Sequence, residues 1–482
     1  VKDLLEGLRR IVGRSHVLTH EDPLTDLSVW ENDWRKRHQG RSLAIVRPAC
    51  TQEVADVVRL CADRQAVLGL SIVPQGGNTG LVVGSTPDTT GRQVVLSLQR
   101  MNSVRALDAA NLTITVDAGC ILQQVQQAAG EAGFFFPLSL AAEGSCTIGG
   151  NLATNAGGTQ VLRFGNTREL CLGLEVVTAQ GEIWHGLTGL RKDNTGYDLR
   201  HLMIGSEGTL GIITAATLKL YPPPVARLTA WVALPSLDDA VRLLGLAHKH
   251  LGAGLTGFEV MSQFALSLVD KHFPQQRVPF VREASWCVLL ENSDHESESH
   301  ARDQFERLLE AALDSGCASD AVVAENLAQA QALWNIRESI PLAQPLEGLN
   351  IKHDISLPVS SISAFVDQTD RALQTSFPGV RIVNFGHLGD GNLHYNVQAP
   401  VGVDAATFLR EREDEVNTLV FDAVQAFRGS ISAEHGVGTL KAHKLKRYKT
   451  PVALGMMRAI KQALDPQALL NPGCVLSDES SL

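Results

Sequence analysis

The chain has 482 residues, 44% of them hydrophobic and 20% charged, enough to bury the cores of two or three domains. Its 52 acidic against 42 basic side chains leave a net charge of −10, which argues against nucleic acid as a partner and means that an anionic substrate must meet a local cluster of cations. No run reaches the roughly eighteen apolar residues of a membrane span; the eight scattered cysteines form no CxxC pair, so neither a zinc knuckle nor a thioredoxin motif is encoded, and because a chain this long needs no disulfides a reducing cytoplasm is the expected location.

The opening segment, VKDLLEGLRRIVGRSH, has the pattern of a short amphipathic helix. Residues 43–47 (LAIVR) predict a strand, and 51–65 a helix capped by Thr51. Residues 70–81, LSIVPQGGNTGL, predict a strand running into a glycine loop. Strands follow at 94–98 and 112–119, then a helix over 121–133 that stops at Gly133. Glycine-rich tracts cover 143–158 (EGSCTIGGNLATNAGG) and 204–214 (IGSEGTLGIIT). The triple proline at 222–224 predicts a boundary. Beyond it come helical patterns at 237–250 and 298–315 and strand-like runs at 228–234, 286–292 and 382–387. We therefore expect a first domain over 1–222, a second over 223–425, and a C-terminal segment over 426–482 that completes the active site.

Glycine exposes backbone N–H groups and lets a ligand approach closely, which suits phosphate. PQGGNTG (74–80) is neither GxGxxG nor a P-loop, so a nicotinamide-type site is disfavoured. One such loop would read as a tight turn. Three at strand ends favour an extended ligand such as a dinucleotide. The blocks PQGGNTGL, GSCTIGGNLATNAGG, GNTREL (165–170) and KDNTGYDLRHLMIGSEGTLGIIT (192–214) resemble the vanillyl-alcohol-oxidase type of FAD-binding domain. The resemblance implies an α+β fold: an FAD domain of two α/β subdomains plus a substrate domain with an antiparallel sheet. It implies that Pro74, Gln75, Gly76, Gly77, Asn78, Thr79 and Gly80 cradle the pyrophosphate. It implies that Ser145, Gly150, Asn151, Thr154 and Gly158 line the isoalloxazine and ribityl part, with Ile213 nearby. By the same resemblance Gly149, Asn155, Gly157, Glu207, Gly208, Gly211 and Asn471 belong to the cofactor site. Some relatives attach flavin through a His in the first loop. Asn78 and Thr79 stand there in this chain, so dissociable FAD is expected, with Cys146 read as a packed thiol rather than a thioether.

NFGHLGDGNLHYNV (384–397) carries the chemistry of the second half. Asp390-Gly391 predicts a two-residue hairpin turn, which sets His387 directly opposite His394. Side chains so paired stand about 4.5–5.5 Å apart at Cβ and could share an ion. Asn396 would share that face. Glu434 in SAEHGVG (432–438) is the candidate carboxylate, with His435 beside it. A lone His is most often structural; two in this register, followed by EHG, favour a metal.

This half resembles the D-lactate and D-2-hydroxyglutarate dehydrogenase branch of the superfamily. The resemblance implies that His387, His394 and Glu434 hold a divalent metal, zinc first and Mn2+ or Co2+ as alternatives, and that His435 is the base. ALWNIRESIP (332–341) and IKHDISLPVS (351–360) also match, making Arg337 a carboxylate clamp and Lys352 a second cation, with Asn396 and His435 on the substrate. Lys352 points to the 2-hydroxyglutarate type. Pro341 departs from it, since that type tends to have a Thr there. The implied partners are a small anionic D-2-hydroxy acid and an electron acceptor such as an electron-transfer flavoprotein or a quinone; a homodimer is one option for the assembly. A D-lactate or glycolate dehydrogenase is the alternative within the family. A metal-dependent hydrolase of a nucleotide, or an oxidase reacting with oxygen, are the alternatives outside it.

Overall fold

The structure, a computed structural model, describes residues 1–22 and 25–477. It divides into two compact units: 1–157, 165–222 and 434–482 form the first, and 158–164 with 223–433 form the second.

The first unit holds two sheets. One has strands β1 (Val17–Leu18), β2 (Ser42–Val46), β3 (Ser71–Gln75) and β4 (Gln93–Ser97) in the order β1-β2-β4-β3. The last three run parallel. Parallel strands are covered on both faces, which is why β4, QVVLS, is buried at every position and reads as a continuous run rather than an alternation. The helix Thr51–Leu68 links β2 to β3 and ends at Gly69, whose φ of 60° gives the left-handed cap that a side chain would oppose. Thr51 is not its cap. The hydroxyl instead donates to buried Glu175 Oε1 at 2.5 Å, and no side chain caps this helix. A buried carboxylate needs donors, and Glu175 takes one from Thr51, one from Arg105 and one from Thr214.

The second sheet of this unit is antiparallel: β5 (Val104–Asp108), β6 (Thr113–Asp117), β7 (Cys171–Val177), β8 (Ile183–Gly186) and β9 (Ile212–Lys219), ordered β5-β6-β9-β7-β8. The N-terminal amphipathic helix spans Lys2–Val12 and buries Leu4, Leu5 and Leu8.

The second unit is built on one eight-stranded sheet. Its strands are β10 (Ala226–Leu234), β11 (Leu255–Ser262), β12 (Trp286–Asp294), β13 (Asp320–Val323), β14 (Asn350–Ile351), β15 (Asp354–Ser356), β16 (Arg381–His387) and β17 (Asn392–Gln398). The order is β13-β10-β12-β11-β16-β17-β14, with β15 also on β17, and every pair is antiparallel. Helices Gln263–His272 and Leu327–Glu347 cover one face, closing a core that includes Trp231, Met261, Leu289, Ile336, Ile340 and Phe385. Ser236, Ser262, Ser297, Asn326 and Asp404 each accept a backbone N–H at a helix start, so local sequence fixes where five of these helices begin.

Candidate active site

In the first unit β3 delivers its last residue, Gln75, into the first glycine loop. A Cβ on Gly76 would collide with Thr147 Oγ1, and one on Gly77 with the carbonyl oxygen of Ser145. The first loop therefore lies against the second at backbone distance, which only glycine permits. Asn78 bends the loop at φ 54°; its Nδ2 donates to the Asn32 carbonyl at 2.8 Å and its Oδ1 accepts from Ser85 Oγ at 3.0 Å.

These loops line an open cleft of about 940 Å³. Among the cofactor residues expected from sequence, Pro74, Gln75, Gly76, Gly77, Asn78, Thr79, Gly80, Gly149, Gly150, Asn151, Thr154, Glu207, Gly208, Gly211 and Ile213 line it. His435 lines it as well. Ser145, Asn155, Gly157, Gly158 and Asn471 stand off it. Ser145 backs Gly77, and Asn155, itself at φ 50°, accepts from the Arg168 amide at 3.0 Å. Gly157 and Gly158 mark the point where the chain leaves the first unit. Asn471 is a bracket: its Nδ2 donates to the carbonyls of Gly84 and Glu207, each at 2.8 Å. Glu207 holds the C-terminal segment, its oxygens accepting from the amides of Val437 and Gly438 at 2.7 Å. Burial raises its pKa despite those two donors. Cys146 is buried, its Sγ 3.6 Å from Asn151 Nδ2, and burial pushes the thiol up.

Sequence reasoning missed Ser85, Leu98, Ala118 and Thr147 in this lining. Thr147 lies inside the second glycine tract, where a hydroxyl among glycines was a usable signal. The buried Gln75 Oε1 and Thr147 Oγ1 have no hydrogen-bond partner among the described residues, and both residues line the cleft. The Thr147 hydroxyl can donate to a phosphate oxygen, whereas Gln75 Oε1 can only accept and so fits a ligand that also carries hydroxyl or N–H donors, as a dinucleotide does.

In the second unit the histidines do not stand opposite each other as the two-residue turn predicts. Across β16 and β17 the partner of His394 is Phe385. The turn takes four residues: Leu388–Asp390 form a short 3-10 turn and Gly391 follows at φ 85°. Gly391 is fixed by the Leu357 amide, which donates to its carbonyl at 3.0 Å, so the neighbouring strand sets the loop length. His387 still shares a face with His394 along the diagonal, and the two ring centroids are 5.6 Å apart.

Each histidine faces a buried carboxylate. His387 Nδ1 is 2.6 Å from Glu259 Oε1, and His394 Nδ1 is 3.8 Å from Asp354 Oδ1. Arg337 grips Glu259 Oε2 through Nε and Nη2, both at 2.8 Å, and its guanidinium stacks on Phe385 at 4.9 Å. Complete burial pushes the Glu259 carboxyl up, but its contacts with His387 and Arg337 outweigh that and hold it below its usual range. Arg337, expected as a carboxylate clamp, thus spends one edge of its fork on the protein itself. Asn396 is also engaged: Oδ1 accepts from the His353 amide at 3.1 Å and Nδ2 donates to Gln344 Oε1 at 2.8 Å. Lys352 is half-buried in the break between β14 and β15. Pro341 lies inside helix Leu327–Glu347 and offers no N–H to the carbonyl of Arg337, one turn back. Ala433, the residue before Glu434, donates its amide to the Asp354 carbonyl at 3.2 Å. Glu259 and Asp354 were not foreseen: Glu259 is a single acidic residue in a strand with no local motif, and Asp354 lies in the IKHDISLPVS block without having been singled out.

Residues 42–186 match the family described as FAD binding domain, and 223–475 match FAD linked oxidases, C-terminal domain. A protein of Xanthomonas citri pv. viticola named D-2-hydroxyglutarate dehydrogenase is 42% identical over 93% of this chain and 92% of its own length. The chain belongs to the FAD-linked oxidases, in their D-2-hydroxy-acid dehydrogenase branch. A Bos taurus relative of this FAD-linked oxidase, named D-2-hydroxyglutarate dehydrogenase, mitochondrial, is 39% identical over 98% of the chain and 83% of that protein. A Schizosaccharomyces pombe protein named putative D-lactate dehydrogenase is 35% identical over 94% and 85%. Among solved structures, p-cresol methylhydroxylase aligns with a TM-score of 0.77 at 16% identity, covering 99% of this chain and 97% of that one. That likeness shows the shared α+β fold. No described helix of this FAD-linked oxidase is long and apolar enough to cross a membrane.

Proposed function

We propose that this enzyme oxidises D-2-hydroxyglutarate to 2-oxoglutarate, using non-covalently bound FAD and a divalent metal, zinc before Mn2+ or Co2+. The observation that carries the reading is the position of His435, which lines the same cleft as the two glycine loops, in a chain whose relatives are named for that oxidation. A base is of use only beside the centre that accepts the hydride. Bound FAD supplies the two-electron sink and the metal supplies a Lewis acid for the hydroxyl and carboxylate oxygens. His387, His394 and Glu434 are the proposed ligands. A carboxylate on Nδ1 of His387 supports this, because metal-ligating imidazoles are commonly held that way. His435 takes the hydroxyl proton. Arg337, Lys352 and Asn396 orient the substrate, with Lys352 reserved for the second carboxylate. The electron acceptor is an electron-transfer flavoprotein or a quinone, and the scattered cysteines favour a reducing compartment such as the cytoplasm.

Anaerobic titration with D-2-hydroxyglutarate tests this. The flavin absorption is expected to bleach, and chelator-treated protein is expected to keep its flavin but lose the bleaching until zinc is restored. A colourless protein would favour the hydrolase. Bleaching untouched by chelation would remove the metal.

A further inference from the structure

Glu259 is a buried carboxylate of the second-unit cluster that the proposed chemistry has not used. It sits on β11 with 0% exposure, and its Cα pairs in register with that of His387 on β16. Burying a carboxylate this completely is costly, and an apolar residue of similar size would pack in the same sheet without that cost. Its two oxygens are divided. Oε2 takes the Nε and Nη2 edge of Arg337, and Oε1 takes Nδ1 of His387. Arg337 is itself pinned on its other side by the Phe385 ring.

The division has a chemical consequence. An acceptor at Nδ1 requires the ring proton there, so in the neutral imidazole the lone pair belongs to Nε2. The ring cannot rotate about its own axis without breaking a 2.6 Å bond to a carboxylate fixed by backbone register.

We propose that Glu259 is a positioning residue: it fixes the tautomer and orientation of His387 so that Nε2 is presented to the divalent metal, with Arg337 holding Glu259 in turn. The inference rests on the metal reading above. It also gives Arg337 a second task besides the substrate carboxylate. Outer carboxylates of this kind are typically worth about 10- to 100-fold in metal affinity.

The test is zinc affinity, measured on the metal-free, FAD-loaded full chain by competition with a chromophoric chelator. Glu259→Gln keeps the shape but offers its amide nitrogen to one of the two donors. It is expected to weaken zinc by about 10- to 100-fold with the flavin spectrum unchanged. Glu259→Asp withdraws the carboxylate by one methylene and is expected to weaken zinc too; it decides the matter if the Gln variant does not fold. A merely structural Glu259 would lower the melting temperature and leave the zinc affinity of the folded protein at the wild-type value, which overturns the inference while the metal reading survives. Wild-type protein that binds no zinc overturns both.

Discussion

Phe385, not His387, stands across from His394 in the register of β16 and β17, and His387 lies one step along the diagonal of the same face. The displacement changes what each ring meets. Phe385 packs against His394 with centroids 4.9 Å apart and carries the Arg337 guanidinium on its other contact. His387, moved toward β11, gains Glu259 as a cross-strand partner. The register thus sets His394 between Phe385 on one neighbouring strand and Asp354 on the other, and gives His387 the Glu259 carboxylate.

Lys352 should separate substrates. A dicarboxylate has a second anionic group to reward a second cation, and D-lactate has none. Lys352→Ala is expected to lower kcat/KM for D-2-hydroxyglutarate by about 10- to 100-fold, the worth of one charged hydrogen bond, and to change D-lactate oxidation much less. Equal losses on the two acids in steady-state assays would sink the two-cation reading.

Two glycines of the first loop should behave differently. Gly77→Ala drives a methyl into the Ser145 carbonyl oxygen and is expected to lower the stability of the apoprotein by about 1–3 kcal/mol, read as a drop in melting temperature. Gly80 has nothing within 4 Å of an added Cβ, so Gly80→Ala should leave the apoprotein melting temperature alone and weaken FAD, because only the cofactor would meet the methyl. Unchanged FAD affinity in Gly80→Ala would mean that the pyrophosphate does not pass there. Acid precipitation of the wild type should leave the yellow colour in the supernatant.

Asp370, on helix Ile362–Ser376, accepts a hydrogen bond from the hydroxyl of fully buried Tyr395. Burial raises its pKa from 3.8 to about 6. The folded state therefore holds a proton that the unfolded state releases. The stability this contributes is full below pH 3.8 and is lost as pH rises towards about 6, on the order of 1–3 kcal/mol in all. Asp370→Asn cannot ionise, so it is expected to gain on the wild type in denaturant titrations as pH is raised across that window. Parallel curves for the two proteins would show that Asp370 titrates normally.

The sequence by itself determined the features that depend on local chemistry. The buried parallel strand β4 carries a run of consecutive apolar residues, Val94 to Leu96, rather than an alternation, and serine, asparagine or aspartate marks the start of five helices in the second unit. The glycine cradle was legible because no other residue lets two loops meet at backbone distance, whatever the rest of the fold. The tertiary structure alone decided whatever depends on a distant partner. Asp390-Gly391 has the local form of a two-residue turn, yet Leu357, from the adjoining strand region, holds Gly391 and lengthens the loop. Thr51 looks like a cap until Glu175, 124 positions on, claims its hydroxyl. Glu259 has no motif at all, and only strand pairing across 128 positions gives it His387. Backbone conformation is a short-range property and can be read from neighbours. A buried charge is placed by the groups that neutralise it, and those come from anywhere in the chain.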